Sequence, residues 1–134
     1  MDSTTRSYKD LIVWQKAIEL AKLVYRLTMT FPNEEKFGLT AQLRRAAVSV
    51  PSNIAEGQAR RTTGEFVQFI SHAEGSIAEL DTQLILSLEL KFCPMKDVAP
   101  AFELLTEIRK MLNALRRTLA TRGNSSLATR HSSL

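Results

Sequence analysis

The chain has 134 residues, 44% of them hydrophobic, which suits one domain with its own core and is short for two. Five glycines and four prolines are few for a turn-rich all-β chain. The single cysteine excludes an internal disulfide framework and a cysteine metal cluster. The formal net charge of +4 permits an acidic partner such as nucleic acid without requiring one. The sequence has no signal-peptide pattern and no run of about 18 apolar residues, so we expect a cytoplasmic protein without a membrane span.

The first predicted helix covers about residues 8–30, after a flexible N-terminus at residues 1–7. Apolar residues recur along this helix at helical spacing in two stripes, one of which contains Trp14, Ile18 and Tyr25. A bundle helix needs only one apolar face. The second stripe therefore predicts that this helix also packs against another subunit.

The second predicted helix covers about residues 37–60 and contains a proline in its interior. Pro51 cannot donate to the carbonyl of Ala47, and its ring crowds that carbonyl, so we expect the helix to kink there. Ser49, Ser52 and Asn53 are short polar side chains close to the break, and they are expected to satisfy the freed backbone groups.

The third predicted helix covers about residues 63–91 and starts at a capping box, Thr62 to Glu65. A glycine inside a helix costs about 1 kcal/mol relative to alanine. Gly57 in the second helix and Gly75 in the third therefore predict places where another helix comes close.

The fourth predicted helix covers about residues 97–122 and ends at Arg122-Gly123, before a Ser-rich tail at 123–134 that we expect to be disordered. Four helices joined by short connections favour an all-α fold, an antiparallel up-down-up-down four-helix bundle over residues 8–122. No internal repeat, strand alternation or second domain is evident.

Charge is unevenly distributed over these segments. The second helix and its flanks are basic, the third helix is acidic, and the fourth helix ends in basic residues. One interpretation is ion pairing between neighbouring helices, together with cations that complement a helix C-terminus. The other is a basic surface that follows phosphates. The candidate contacts to nucleic acid or a partner are Lys36, Arg44, Arg45, Arg60, Arg61, Arg109, Arg116 and Arg117.

The sequence offers no clear catalytic, cofactor or metal site. A di-iron bundle needs Glu-x-x-His pairs, but the residue three before His72 is Phe69. Glu56 and Glu79 would form an acid/base pair only if their helices face each other, and arginines in the same layer favour structural ion pairs instead. We therefore expect no enzymatic activity and no cofactor.

Three stretches, "LIVWQKAIELA", "QLRRAAVSVPSNIAEG" and "EFVQFISHAEGSIAELDTQL", resemble the bacterial four-helix-bundle proteins encoded by 23S rRNA intervening sequences. The resemblance covers about residues 8–120. It implies a cytosolic all-α bundle without known enzymatic activity that assembles as a homopentamer around a central axis. Related bundle proteins are accessory factors of diversity-generating retroelements and bind the reverse transcriptase and nucleic acid.

The family motif falls on Gln42, Arg45, Ser49, Asn53, Glu56, Gly57, Gly75, Ser76 and Glu79, with Pro51 inside its central block. One departure is Glu74, where the family usually has an arginine before its Gly-Ser. The leading hypothesis is a non-enzymatic, homopentameric helical scaffold that binds nucleic acid, or a nucleic-acid-handling protein, through its basic surface. The alternative is a pure protein–protein adaptor that binds no nucleic acid.

Overall fold

The structure is a computed structural model that describes residues 7–132, with side chains described as far as residue 122. Over that range it contains four α-helices and no strand, which confirms the all-α four-helix prediction. The helices are α1 (Ile12–Thr28), α2 (Leu39–Gln58), α3 (Thr63–Glu89) and α4 (Met95–Ser132).

A side-chain cap marks the start of the short helix before α1 and the start of α3. Tyr8–Asp10 forms a 3-10 helix in which the Ser7 hydroxyl accepts from the backbone of Lys9 at 3.1 Å, so α1 begins only after this turn. One half of the capping box predicted at α3 is present, because Thr62 Oγ1 accepts from the Glu65 backbone N–H at 3.1 Å. The Glu65 carboxylate accepts from the Thr62 hydroxyl at 3.0 Å.

The C-terminal end of α4 differs from the sequence-based prediction. The backbone stays helical past Arg122-Gly123 and as far as Ser132, where we expected a helix stop and a disordered tail. A glycine ends a helix when it takes the left-handed conformation, whereas a glycine inside a helix only lowers the stability of that helix. Gly123 lies inside α4. The flexibility predicted for residues 1–6, and the disorder predicted for 133–134, concern positions outside the described residues.

Each helix packs against two neighbours, since α1 and α3 both contact α2 and α4. The core between them is built from fully buried aliphatic side chains, each of which stabilises the fold by about 1.5–3 kcal/mol. Among the largest are Leu20, Leu43, Ile54, Leu80 and Ile108.

The contacts between α2 and α3 fix the register of these two helices. Gln42 at the start of α2 meets Gln83 near the end of α3, and Ser49 meets Ser76. Near the end of α2, Gly57 lies against Phe66 at the start of α3. Residue numbers therefore rise along one helix as they fall along the other, as in neighbours that run in opposite directions.

Pro51 is buried within α2, which remains helical on both sides of it. The polar side chains around it do not repair the break as predicted. Asn53 Nδ2 donates to the backbone oxygen and the hydroxyl of Ser49, at 2.8 and 2.9 Å, and not to the carbonyl of Ala47. Ser52 is exposed to solvent. The kink itself stays a prediction.

The two helical glycines have different surroundings. A Cβ on Gly57 would lie 2.8 Å from Phe66 Cδ1 and 2.8 Å from Phe69 Cβ, so the close approach predicted at Gly57 is confirmed. A Cβ on Gly75 would meet no described atom within 4 Å. The prediction of close approach at Gly75 is therefore wrong for the single chain, because Gly75 lies on the exposed side of α3.

Candidate nucleic-acid interface

Arg44 is engaged with its own chain. Its Nε donates to the Thr28 hydroxyl at 2.9 Å, and its guanidinium carbon lies 4.6 Å from the centre of the Tyr25 ring. Thr28 is buried and donates in turn to the backbone oxygen of Val24 at 2.8 Å. The side chain of Arg44 therefore ties α2 to the last turns of α1, and its Nε is engaged with Thr28.

Arg109 and Arg116 join α4 to the acidic helix α3. Arg116 donates to Glu74 and, at 2.8 Å, to the Ser71 hydroxyl, and Arg109 lies 4.0 Å from the Asp81 carboxylate. The opposite charges of the second and third helices were expected to pair with each other. The ion pairs that α3 makes within the described chain go to α4 instead, because the acidic residues Glu74 and Asp81 lie on the α4 side of α3.

Arg60 lies just past the end of α2 at the corner with α3. It forms an i,i+4 ion pair with Glu56 at 3.7 Å, and its guanidinium stacks 4.7 Å from the centre of the Phe69 ring. The His72 ring meets Phe69 edge-on, with the ring centres 5.9 Å apart. Both members of the ion pair are about half exposed, so their pairing contributes little stability and leaves the guanidinium accessible.

The remaining candidates are exposed and have no ion pair with any described residue. Lys36 contacts only the ring of Phe37, at 5.6 Å, near the start of α2. Arg45 projects from the middle of α2. Arg61 and Arg117 lie at the opposite end of the bundle from Lys36.

Arginines accumulate at the end of the bundle where α2 ends, α3 begins and α4 passes by. Gly57 places the end of α2 against the start of α3, and the contact from Arg116 to Ser71 places the later part of α4 beside the same segment. The exposed arginines at this end are named the arginine end: Arg60, Arg61, Arg117 and Arg122.

Part of the family motif lies along the contact between α2 and α3, namely Gln42, Ser49, Gly57 and Ser76, whereas Arg45, Glu56 and Gly75 are exposed. The hydroxyls of Ser49 and Ser76 are 2.8 Å apart, and Gln83 Nε2 donates to Glu79 at 3.3 Å and to Gln42 Oε1 at 3.5 Å. The sequence analysis did not select Gln83. Its position four residues after Glu79 places the two side chains on the same face of a helix, which is a signal that could have identified it. These contacts give the motif a structural role in pairing two helices.

A second exposed feature is an apolar groove between α1 and α2. Trp14, Ile18 and Ala21 line it from α1, and Val48 and Pro51 line it from α2. A shallow depression of about 290 Å³ lies between the two helices, and a second of about 370 Å³ continues from it along α1. The first closes against the ring of Tyr8, and the second lies beside Tyr25, Lys22 and Arg26. Its α1 wall is the outer part of the apolar stripe that includes Trp14, and other members of that stripe, Ala17 and Val24, are buried in the core.

The part of the chain that the structure describes holds no group of three or more His, Cys, Asp or Glu side chains arranged to bind a metal ion. None of its helices is both long and apolar enough to cross a membrane.

The geometry defines a small all-helical bundle with a hydrogen-bonded α2–α3 contact and an arginine-rich end. Residues 9–114 match the family model of the 23S rRNA-intervening sequence protein, and the chain belongs to this family. Among solved structures it is similar to a protein of unknown function from Bacteroides thetaiotaomicron, assigned to the S23 ribosomal protein family. The two share 20% identity and a TM-score of 0.71 over 78% of this chain and 98% of the other, a likeness that shows the fold alone. No curated protein matches this chain.

Proposed function

We propose that this protein is a non-enzymatic, cytoplasmic, homo-oligomeric helical scaffold that binds nucleic acid through its arginine end. The pentameric state follows the family resemblance. The observation that carries the nucleic-acid proposal is the gathering of exposed arginines at one end of the bundle. Of these, Arg61, Arg117 and Arg122 have no ion pair with the described residues.

The chemistry of these side chains fits a phosphate backbone. A guanidinium donates two parallel hydrogen bonds to phosphate oxygens, and contacts of this kind position a nucleic acid without reading its bases. Cations near a helix C-terminus also complement the partial charge of the last carbonyls. Arg61 lies beyond the end of α2 at Gln58, in the connection to α3, where such compensation is weak.

Assembly would strengthen a weak single site. In a cyclic oligomer every copy presents its arginine end on the same side of the ring. One nucleic-acid chain would then contact several copies at once, and the second and later contacts would form at a high effective concentration.

Fluorescence anisotropy with a labelled single-stranded RNA of mixed sequence tests this proposal. The affinity should fall steeply between about 50 mM and about 200 mM salt, because bound phosphates release counterions. A variant with Arg61→Gln and Arg117→Gln should bind more weakly and lose about 1 from the salt slope for each phosphate contact removed.

The matched control removes two charges at the opposite end of the bundle, with Lys36→Gln and Lys96→Gln, both exposed in the structure. The control should keep most of its affinity. Absence of binding at low salt, or an equal loss in both variants, would contradict the proposal. The same titration with single-stranded DNA establishes which nucleic acid is preferred.

The second candidate is a protein–protein adaptor without affinity for nucleic acid. It is favoured by the use of Arg44 and Arg116 within the chain and by the exposed apolar groove. Under this alternative, neutralising Arg45 or Arg60 should lower the stability of the assembly and leave any RNA affinity unchanged. A nucleic-acid-handling protein is one partner that such an adaptor would take.

A further inference from the structure

The apolar groove between α1 and α2 is open to solvent in the single chain. Two of its large side chains are substantially exposed, Tyr25 at 42% and Val48 at 43%. Contiguous apolar surface of this kind marks a docking site. The charged side chains that line it are the basic Lys22 and Arg26, and Arg44 lies over its Tyr25 ring. Glu19, Glu103 and Glu107 lie around a separate depression that Lys22 and Arg26 also line. Lys22 and Arg26 have no ion pair among residues 7–122.

A second apolar surface lies on the outward side of α3, whose opposite side carries the buried Leu80 and Leu84. Ile85, Leu86 and Leu90 are 47%, 45% and 50% exposed. The exposed carboxylates of Glu79 and Glu89 lie on the same surface, and neither has a basic partner in the described chain. This surface is named the acidic strip: Glu79, Ile85, Leu86, Glu89 and Leu90.

The two surfaces complement each other in polarity and in charge. The groove is apolar with a basic border, and the acidic strip is apolar with acidic members. They cannot meet within one molecule, because α2 lies between the groove and α3 and packs against both α1 and α3. A contact between two copies would bring the cations Lys22 and Arg26 close to the carboxylates Glu79 and Glu89, and none of these four has an ion pair among the described residues.

We infer that the apolar groove of one copy receives the acidic strip of the next copy. The inference rests on the homo-oligomer of the proposed function and names the two surfaces that build it. Since the surfaces differ, the contact is heterologous, and a heterologous contact repeats around the assembly until the ring closes or a filament grows. Every copy then has its groove filled and its strip covered.

Two single substitutions at exposed positions test the pairing. Val48→Asp places a carboxylate in the groove, and Leu86→Asp removes an apolar contact from the strip and adds charge. Each variant alone should lose the oligomer, because every contact in a ring uses one groove and one strip. The measurement is size-exclusion chromatography with light scattering, with far-UV circular dichroism to verify that the helices are retained. Ala114→Asp on the exposed side of α4 is the matched control and should keep the wild-type mass.

Mixing the two variants is the decisive arm. The intact strip of the Val48→Asp chain still fits the intact groove of the Leu86→Asp chain. The groove of the Val48→Asp chain and the strip of the Leu86→Asp chain are both defective. An equimolar mixture of the two monomeric variants should therefore give a one-to-one heterodimer that grows no further. If either variant loses its helical signal, Val48→Ser and Leu86→Ser replace the pair, with the same pattern expected.

The possible results distinguish the pairing of groove and strip from the homo-oligomer on which it rests. A wild-type protein that is monomeric contradicts both the homo-oligomer and the pairing. A wild-type oligomer whose mass survives either substitution contradicts the pairing alone, as does a mixture of monomeric variants that stays monomeric.

Discussion

Arg116 of α4 donates to the carboxylate of Glu74 on α3, and both side chains are about two-thirds buried. The resemblance to the family implies an arginine at the position of Glu74. In this chain the departure therefore has a structural partner, since the carboxylate holds an arginine of the neighbouring helix. The ion pair also removes Arg116 from the side chains available to phosphate.

Glu74→Gln should lower the free energy of unfolding by about 1 kcal/mol, because it leaves the partly buried Arg116 guanidinium without its charged acceptor. Urea denaturation followed by circular dichroism measures the change. Glu107→Gln is the matched control. It removes the carboxylate from the ion pair between Lys16 and Glu107, where the acid is 48% exposed, and should cost less. Equal losses in the two variants would contradict a special role for Glu74.

The neighbouring arginines of α2 should respond differently to the same substitution. Arg44→Gln should lower the free energy of unfolding by roughly 1–2 kcal/mol, because it removes the hydrogen bond to Thr28 and the stacking on Tyr25. Arg45→Gln should change it by less than about 0.5 kcal/mol, since Arg45 is exposed without a partner in the described chain. Thermal and urea unfolding of the two variants, under identical conditions, tests this contrast. A reversed order would mean that Arg44 is dispensable for the α1–α2 contact.

The two helical glycines provide a third contrast. Gly57→Ala should destabilise the fold by about 1–3 kcal/mol, because the new methyl group would press on Phe66 and on the Cβ of Phe69. Gly75→Ala should be neutral or stabilise by up to about 1 kcal/mol, since its Cβ meets open space and alanine favours the helix. The midpoints of chemical denaturation give both values. Destabilisation by Gly75→Ala in a monomeric background would contradict the open surroundings of that residue.

Cys93 should react slowly with thiol reagents in the folded protein. Burial, and to a smaller extent the charge of Asp97, raises the pKa of the Cys93 thiol above its ordinary value. The raised pKa favours the folded state at pH values below the pKa of the unfolded thiol, and this contribution is lost as the pH rises through the folded pKa. The pH dependence of the reaction with a chromogenic disulfide tests this. A native rate that matches the denatured chain near pH 8 would contradict it.

The sequence predicts what depends on neighbouring residues along the chain. The N-cap at Thr62 and the four apolar-periodic segments are local patterns, and the N-cap hydrogen bond and four helices are present in the structure. Gly57 and Gly75 occupy similar local settings, and only the packing of α2 against α3 distinguishes them.

The candidate site depends on distant contacts in the same way. Arg44 and Arg45 are adjacent and chemically identical in the sequence. Arg44 alone lies on the α1 side of α2, where Thr28, 16 residues earlier in the chain, accepts its hydrogen bond. The arginine end likewise arises because the end of α2 and the later part of α4 meet beside the start of α3. Charge patterns along a sequence do not encode such distances. Only the positions of the helices distinguish the candidate residues that are engaged within the chain from those that are free to bind a partner.

Light scattering of the purified full chain, with and without RNA and at two salt concentrations, measures assembly and nucleic-acid binding together. We expect a homo-oligomer at both salt concentrations, which forms a heavier complex with RNA at low salt and releases it at high salt. A monomeric protein whose mass is unchanged by RNA at low salt would contradict both the scaffold and its binding to nucleic acid.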